Sequence, residues 1–178
     1  MTQETLPPPT HLAKAARSPD QWTVGDAADL YRVDDWGQGY FGVNEAGHVE
    51  VRPEADAQQA FDLKHLVDEL RGRGLNPPYL LRFSDILRHR LGKIASTFRN
   101  AIAEMGYRGT YRAVYPIKVN QQAQVVEEVL AYGREHGFGL EAGSKPELLA
   151  IMAMVKDEQT PIICNGFKDD RFIEAVIL

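Results

Sequence analysis

Three short apolar runs end near Lys118, Glu141 and Asn165, 23 and then 24 residues apart, with a helix-patterned segment filling each interval. No other feature of the chain narrows its fold as much. Strand–helix alternation at this period implies parallel strands joined by right-handed crossovers. A closed barrel and a doubly wound open sheet both fit the pattern. In either one, reactive groups collect at the carboxyl ends of the strands, where the loops surround a shared mouth.

The elements around this repeat follow from local chemistry. Residues 1–20 hold Pro7-Pro8-Pro9 in a polar, alanine-rich context and read as a mobile tail. Thr23 ahead of Val24-Gly25-Asp26 predicts a capped short helix reaching about Tyr31. Tyr40-Phe41-Gly42-Val43 and His48-Val49-Glu50-Val51 flank Asn44-Glu45-Ala46-Gly47 and predict a hairpin. Tyr31, Trp36, Tyr40 and Phe41 cluster here, and packing of a small sheet accounts for them. From Phe61 the period becomes helical through Leu63, Leu66, Val67 and Leu70, until Gly74 and Pro77-Pro78 stop it.

Tyr79-Leu80-Leu81-Arg82-Phe83 reads as a strand. Ser84 is placed to cap a long helix with an inner stripe of Leu87, Leu91, Ile94, Phe98, Ile102 and Met105, closed by Gly106. A strand over 111–117 precedes a helix marked by Val125, Val126, Val129 and Leu130. The chain is extended again over 138–140. Ser144-Lys145-Pro146-Glu147 is a capping box opening a helix with Leu148, Leu149, Met152 and Val155 at helical spacing. Pro161-Ile162-Ile163-Cys164 is the last strand, and a helix starts near Asp169 with Phe172, Ile173, Val176 and Ile177 as its stripe. About three barrel units fit into 79–178, whereas a closed (β/α)8 barrel takes about 250 residues. The chain is therefore expected to be the N-terminal piece of something longer, and to lack turnover by itself.

Composition excludes some partners. Lys and Arg number 20 against 25 Asp and Glu, for a net charge of -5 with no basic run, which disfavours a nucleic-acid backbone. The single Cys164 rules out an internal disulfide framework and a cysteine zinc site, and points to a reducing compartment. No apolar run approaches the roughly 20 residues of a membrane span, and the start lacks the pattern of a signal peptide. A cytoplasmic protein is expected.

Candidate chemistry sits in the three segments at the strand ends. Alternation along Val114, Pro116 and Lys118 points the Lys118 ammonium towards the mouth or interior, where a desolvated neutral amine can attack a carbonyl. A lysine reaching from a strand end into solvent is the plainer alternative. Glu141 is placed either to pair with Lys118 across neighbouring strands or to stand as an ordinary surface carboxylate. Ser144 has a sufficient task as a helix cap. Cys164 closes an apolar strand and reads as an inert thiol, and Asn165-Gly166 reads as a turn. Adjacent acids such as Asp34-Asp35, Glu127-Glu128 and Asp169-Asp170 read as solvated charge. His11, His48, His65, His89 and His136 show no metal-ligand spacing, and there is no P-loop or GxGxxG.

Three quoted stretches, YPIKVNQ with Lys118, GLEAGSKPEL, and ICNGFKDD, together resemble the biosynthetic arginine decarboxylase family. Trp36-Gly37-Gln38-Gly39-Tyr40-Phe41 and Asn44-Glu45-Ala46-Gly47 also resemble the start of that family. The resemblance covers about 21–178 and only the N-terminal portion of the family's proteins. It implies an α/β fold: 79–178 as the first units of a (β/α)8 barrel of the alanine-racemase type that binds pyridoxal 5′-phosphate (PLP), preceded by a hairpin and helix region over 21–78 belonging to a β-domain. It implies Lys118 as the lysine forming the Schiff base with PLP, with Glu141 and Ser144 as cofactor-binding positions. Magnesium goes with the family, without a ligand identifiable in this chain. The implied reaction converts L-arginine to agmatine and CO2, in arginine catabolism feeding putrescine and spermidine synthesis, by a homo-oligomeric enzyme. The cofactor serves as electron sink while the protein orients the breaking bond. A relative acting on ornithine, lysine, diaminopimelate or a carboxylated polyamine would share the Lys118 segment, and a non-catalytic decarboxylase-like binding protein remains the alternative of a different class.

Overall fold

The computed structural model of the chain describes residues 21–55 and 58–177. The tail expected over 1–20, like Leu178, lies outside the described residues. The chain divides into two compact units, one reaching to Asn76 and the other starting at Pro77.

In the first unit, α1 (Val24–Leu30) starts where Thr23 predicts it. The Asp26 amide donates to Thr23 Oγ1 at 3.2 Å and the Thr23 amide donates to Asp26 Oδ2 at 3.0 Å, completing the capping box. A second short helix, α2 (Val33–Gly37), has no periodic signature in the sequence. Arg32 and Gln38 bracket it with positive φ angles of 51° and 50°. β1 (Phe41–Val43) and β2 (Val49–Val51) form the predicted antiparallel hairpin, with Phe41 opposite Val51. Asn44 closes its turn by accepting from the Ala46 amide at 3.1 Å and the His48 amide at 2.9 Å. Tyr40 is buried and Trp36 lies 5.5 Å from Phe41, whereas Tyr31 of the same aromatic cluster faces solvent.

The helical period expected from Phe61 begins two residues late. Phe61 and Asp62 instead form β3 (Phe61–Asp62), which pairs with β2, and α3 (Leu63–Gly72) follows. Asp62 fastens three pieces together. It accepts from the His65 amide at 3.0 Å as the cap of α3, from Asn44 Nδ2 at 2.9 Å, and lies 2.8 Å from His48 Nδ1. These contacts, the His48 hydrogen bond foremost, hold its carboxyl well below the ordinary value of 3.8. A depressed carboxyl stabilises the fold above its unfolded value, and that contribution is lost as pH falls through the acid range below it. Acidification below pH 4 is therefore expected to loosen this unit, followed by the fluorescence of Trp22 and Trp36. Asp62→Asn should flatten that part of the profile, and an unchanged acid limb in the variant would contradict the assignment.

The second unit is an α/β layer. β4 (Val114–Pro116), β5 (Gly139–Ala142) and β6 (Ile162–Cys164) are parallel in that order, with Pro116 opposite Glu141 and Ala142 opposite Cys164. The helices α4 (Ser84–Glu104), α5 (Ala123–Gly133), α6 (Lys145–Met154) and α7 (Asp170–Ile177) alternate with them. One core joins Ile117, Val126, Val129, Leu140, Ala142, Leu148, Ile151 and Phe172. β5, the central strand, is the most buried of the three, whereas Ile163 of β6 is exposed.

Several expectations change on contact with the structure. Residues 79–83 form no strand: among the described residues no ladder takes up their backbone groups, and Leu80 is exposed. Ser84 does not cap α4. Phe83 holds the cap position without a side-chain bond, while Ser84 Oγ donates to Glu128 Oε1 of α5 at 2.6 Å. Leu91 and Ala95 are the buried residues of α4, and Ile94, Phe98 and Met105 are exposed, Phe98 stacking on Tyr111 at 3.8 Å. In α6 the inward positions are Leu148 and Ile151; Leu149 and Met152 face outward. In α7 Phe172 alone is buried, and Ile173, Val176 and Ile177 are exposed.

Candidate active site

The parallel register brings the carboxyl ends of β4, β5 and β6 to one edge of the sheet, so the three segments singled out by spacing are neighbours. β4 stops at Pro116, which has no N–H to extend a ladder. The chain then enters a 3₁₀ turn, Ile117–Val119. That turn ends the period-two alternation from which an inward Lys118 was expected. Ile117 takes the inward position, 3% exposed in the core, and Lys118 is exposed. Of the two alternatives for Glu141, the ion pair with Lys118 is not formed. Glu141 lies half-buried within β5, flanked by Pro116 and Ile163, and among the described residues neither its carboxylate nor the Lys118 ammonium has a polar partner.

Ser144 is the cap of α6, accepting from the Glu147 amide at 3.4 Å. The return contact of the box falls one residue early: Glu147 Oε2 accepts from the Gly143 amide at 2.7 Å. A hydroxyl that accepts as a cap keeps its own hydrogen to donate elsewhere. The loop after β6 rests directly on this one. Gly166 has φ of 78°, and a Cβ there would stand 2.6 Å from the Gly143 carbonyl oxygen, so both the backbone conformation and the space require glycine. Asn165 donates its amide to the Ala142 carbonyl at 2.8 Å and accepts from the Gly166 amide through Oδ1 at 2.8 Å. Cys164 is half-buried against the core. The Gly143–Gly166 contact was not deduced from the sequence, although Asn-Gly marks the turn that makes it.

Three lysines stand at this edge, and their surroundings differ. Lys145 Nζ reaches Asp169 Oδ2 at 2.5 Å. Asp169 also caps α7 through the Phe172 amide at 2.9 Å, and the Lys145 hydrogen bond, followed by that amide, holds its carboxyl below the ordinary value. Lys168 Nζ donates to the Gly166 carbonyl at 2.9 Å. Lys118 alone of the three is without a partner among the described residues. Among those residues, too, no three His, Cys, Asp or Glu side chains come together to hold a metal ion.

Residues 91–177, which include the whole of this edge, match the family described as pyridoxal-dependent decarboxylase, pyridoxal binding domain. A biosynthetic arginine decarboxylase of Prochlorococcus marinus is 50% identical over 166 residues, 93% of this chain and 26% of that one. That of Thermosynechococcus vestitus is 47% identical over 167 residues, 94% of this chain and 26% of the relative. By sequence, the chain is similar to biosynthetic arginine decarboxylases over most of its own length. The crystal structure of the biosynthetic arginine decarboxylase SpeA from Campylobacter jejuni matches 81% of this chain and 24% of its own at a TM-score of 0.73 and 38% identity. The likeness to the arginine decarboxylases thus extends to the fold. The chain spans about a quarter of the length of the curated relatives it matches.

Proposed function

We propose that this chain supplies the cofactor-anchoring part of a PLP-dependent decarboxylase that converts L-arginine to agmatine and CO2 in polyamine synthesis. Its parallel strands are read as the first units of a (β/α)8 barrel over 79–178, and 21–78 as part of an accompanying β-domain. The observation that carries the reading is Lys118: a solvent-facing amine without a competing partner among the described residues, on a turn at the carboxyl edge of a parallel sheet, in a chain half identical to arginine decarboxylases over most of its length.

The residues present fit a pyridoxal aldehyde. An amine free of hydrogen bonds and ion pairs is available to attack a carbonyl carbon, whereas Lys145 and Lys168 must first give up their partners. When bound, PLP supplies an electron sink for the bond to the departing carboxylate. Lys118 is assigned the attachment. Ser144 is assigned a hydrogen-bond donor role through its remaining O–H, and Glu141, one strand over, bears the negative charge nearest the attachment strand in the ladder. No magnesium ligand is assigned. Among the described residues no helix is long and apolar enough to cross a membrane; a cytoplasmic location is proposed from the single cysteine.

The test is release of CO2 by the complete enzyme from arginine, ornithine, lysine and diaminopimelate, offered separately. Arginine is expected to give the highest kcat/KM. Preference for another of the four would overturn the substrate assignment, and release from none would favour a binding role.

A further inference from the structure

The turn that presents Lys118 is clamped from both sides. Ile117 anchors it in the core. The Tyr115 hydroxyl, projecting from β4, reaches over the turn and donates to the Asn120 carbonyl at 3.3 Å, immediately beyond its last residue. Asn120 Oδ1 in turn accepts from the Gln122 amide at 3.1 Å, fixing the entry to α5. Gln122 Oε1 accepts from Arg82 Nη2, tying the same point to the segment before α4. Lys118 and Val119 are left as the exposed side chains of a braced turn.

From this arrangement we infer that Tyr115 is a positioning residue: its hydroxyl holds the Lys118 turn in the conformation from which the amine captures an aldehyde. The inference rests on the assignment of Lys118 as the attachment lysine. In the capture, Lys118 Nζ bonds to the aldehyde carbon and the aldehyde oxygen departs as water, so no oxidant or further reactant is needed. Tyr115 takes no part in that exchange of bonds. It reduces the number of turn conformations the amine samples, and a misplaced reacting group slows a step steeply even when its chemistry is intact. Phenylalanine at 115 keeps the half-buried ring and removes only the hydroxyl.

The experiment adds PLP to the complete apo-enzyme and follows the rate of covalent attachment by visible absorbance. Borohydride reduction and peptide mapping then identify the lysine. Amide exchange over 117–120 and the melting temperature are measured without cofactor. Wild type is expected to carry the label on Lys118. Tyr115→Phe is expected to melt with wild type, to exchange faster over 117–120, and to attach PLP about tenfold more slowly. A label on Lys118 with unchanged attachment rate in Tyr115→Phe would overturn the clamp and leave the lysine assignment standing. A label on Lys145 or Lys168 would overturn both. A lower melting temperature in the variant would make the role structural and also refute the inference.

Discussion

Replacing Lys118 with alanine is expected to lower arginine decarboxylation by several orders of magnitude in the complete enzyme, with little change in folding. The side chain is exposed and contributes no hydrogen bond or ion pair among the described residues, so its removal leaves no cavity and no stranded partner. On the proposed assignment the substitution removes the amine that would hold the cofactor, and a group acting in covalent steps cannot be replaced by its neighbours. Lys145→Ala serves as the control. Its partner Asp169 is partly exposed, and pairs of that kind are worth about 0–1 kcal/mol. Near-normal turnover in Lys118→Ala, measured as CO2 released per active protomer, would remove the lysine from the site.

Phe172→Ala is expected to cost about 3–5 kcal/mol, the range for emptying a buried aromatic site. Phe172 is 1% exposed and packs into the core formed by the parallel strands and their helices, whereas Ile177 in the same helix is 79% exposed. Docking of α7 therefore depends chiefly on one side chain. The consequence extends to the candidate site, since Asp169 at the head of α7 is the residue that occupies Lys145. Loosening α7 would free Lys145 and blur the distinction between the two lysines. Urea unfolding of the complete enzyme followed by circular dichroism measures the loss. A variant within about 1 kcal/mol of wild type would show that the site collapses around the missing ring or that α7 is held by other contacts.

Much of this molecule is legible in its sequence. The parallel strands were marked by short apolar runs recurring at a strand–helix period. Thr23, Asn44 and Ser144 marked their caps and turn through short-range hydrogen bonds that depend on a few adjacent residues. Less was visible where a local signal had competing partners. Ser84 has the chemistry of a cap, yet its hydroxyl donates to Glu128, 44 residues away in sequence. Residues 79–83 have the composition of a strand without a ladder among the described residues. Leu149 and Met152 have helical spacing, but Ile151 takes the inward position.

The candidate site divides in the same way. The residue types and spacing at Lys118, Glu141 and Ser144 by themselves determined which segments meet at the carboxyl edge, because parallel strands of similar length joined by helices must end side by side. Tertiary structure alone decided what each side chain does there. Pro116 ends the ladder, a 3₁₀ turn replaces alternation, and Ile117 rather than Lys118 enters the core. Lys145 finds an acceptor in the next loop and Lys168 one within its own, while Lys118 finds none among the described residues. Periodicity records the direction of a side chain only while the backbone repeats, and at the end of a strand, where the chemistry sits, the backbone stops repeating.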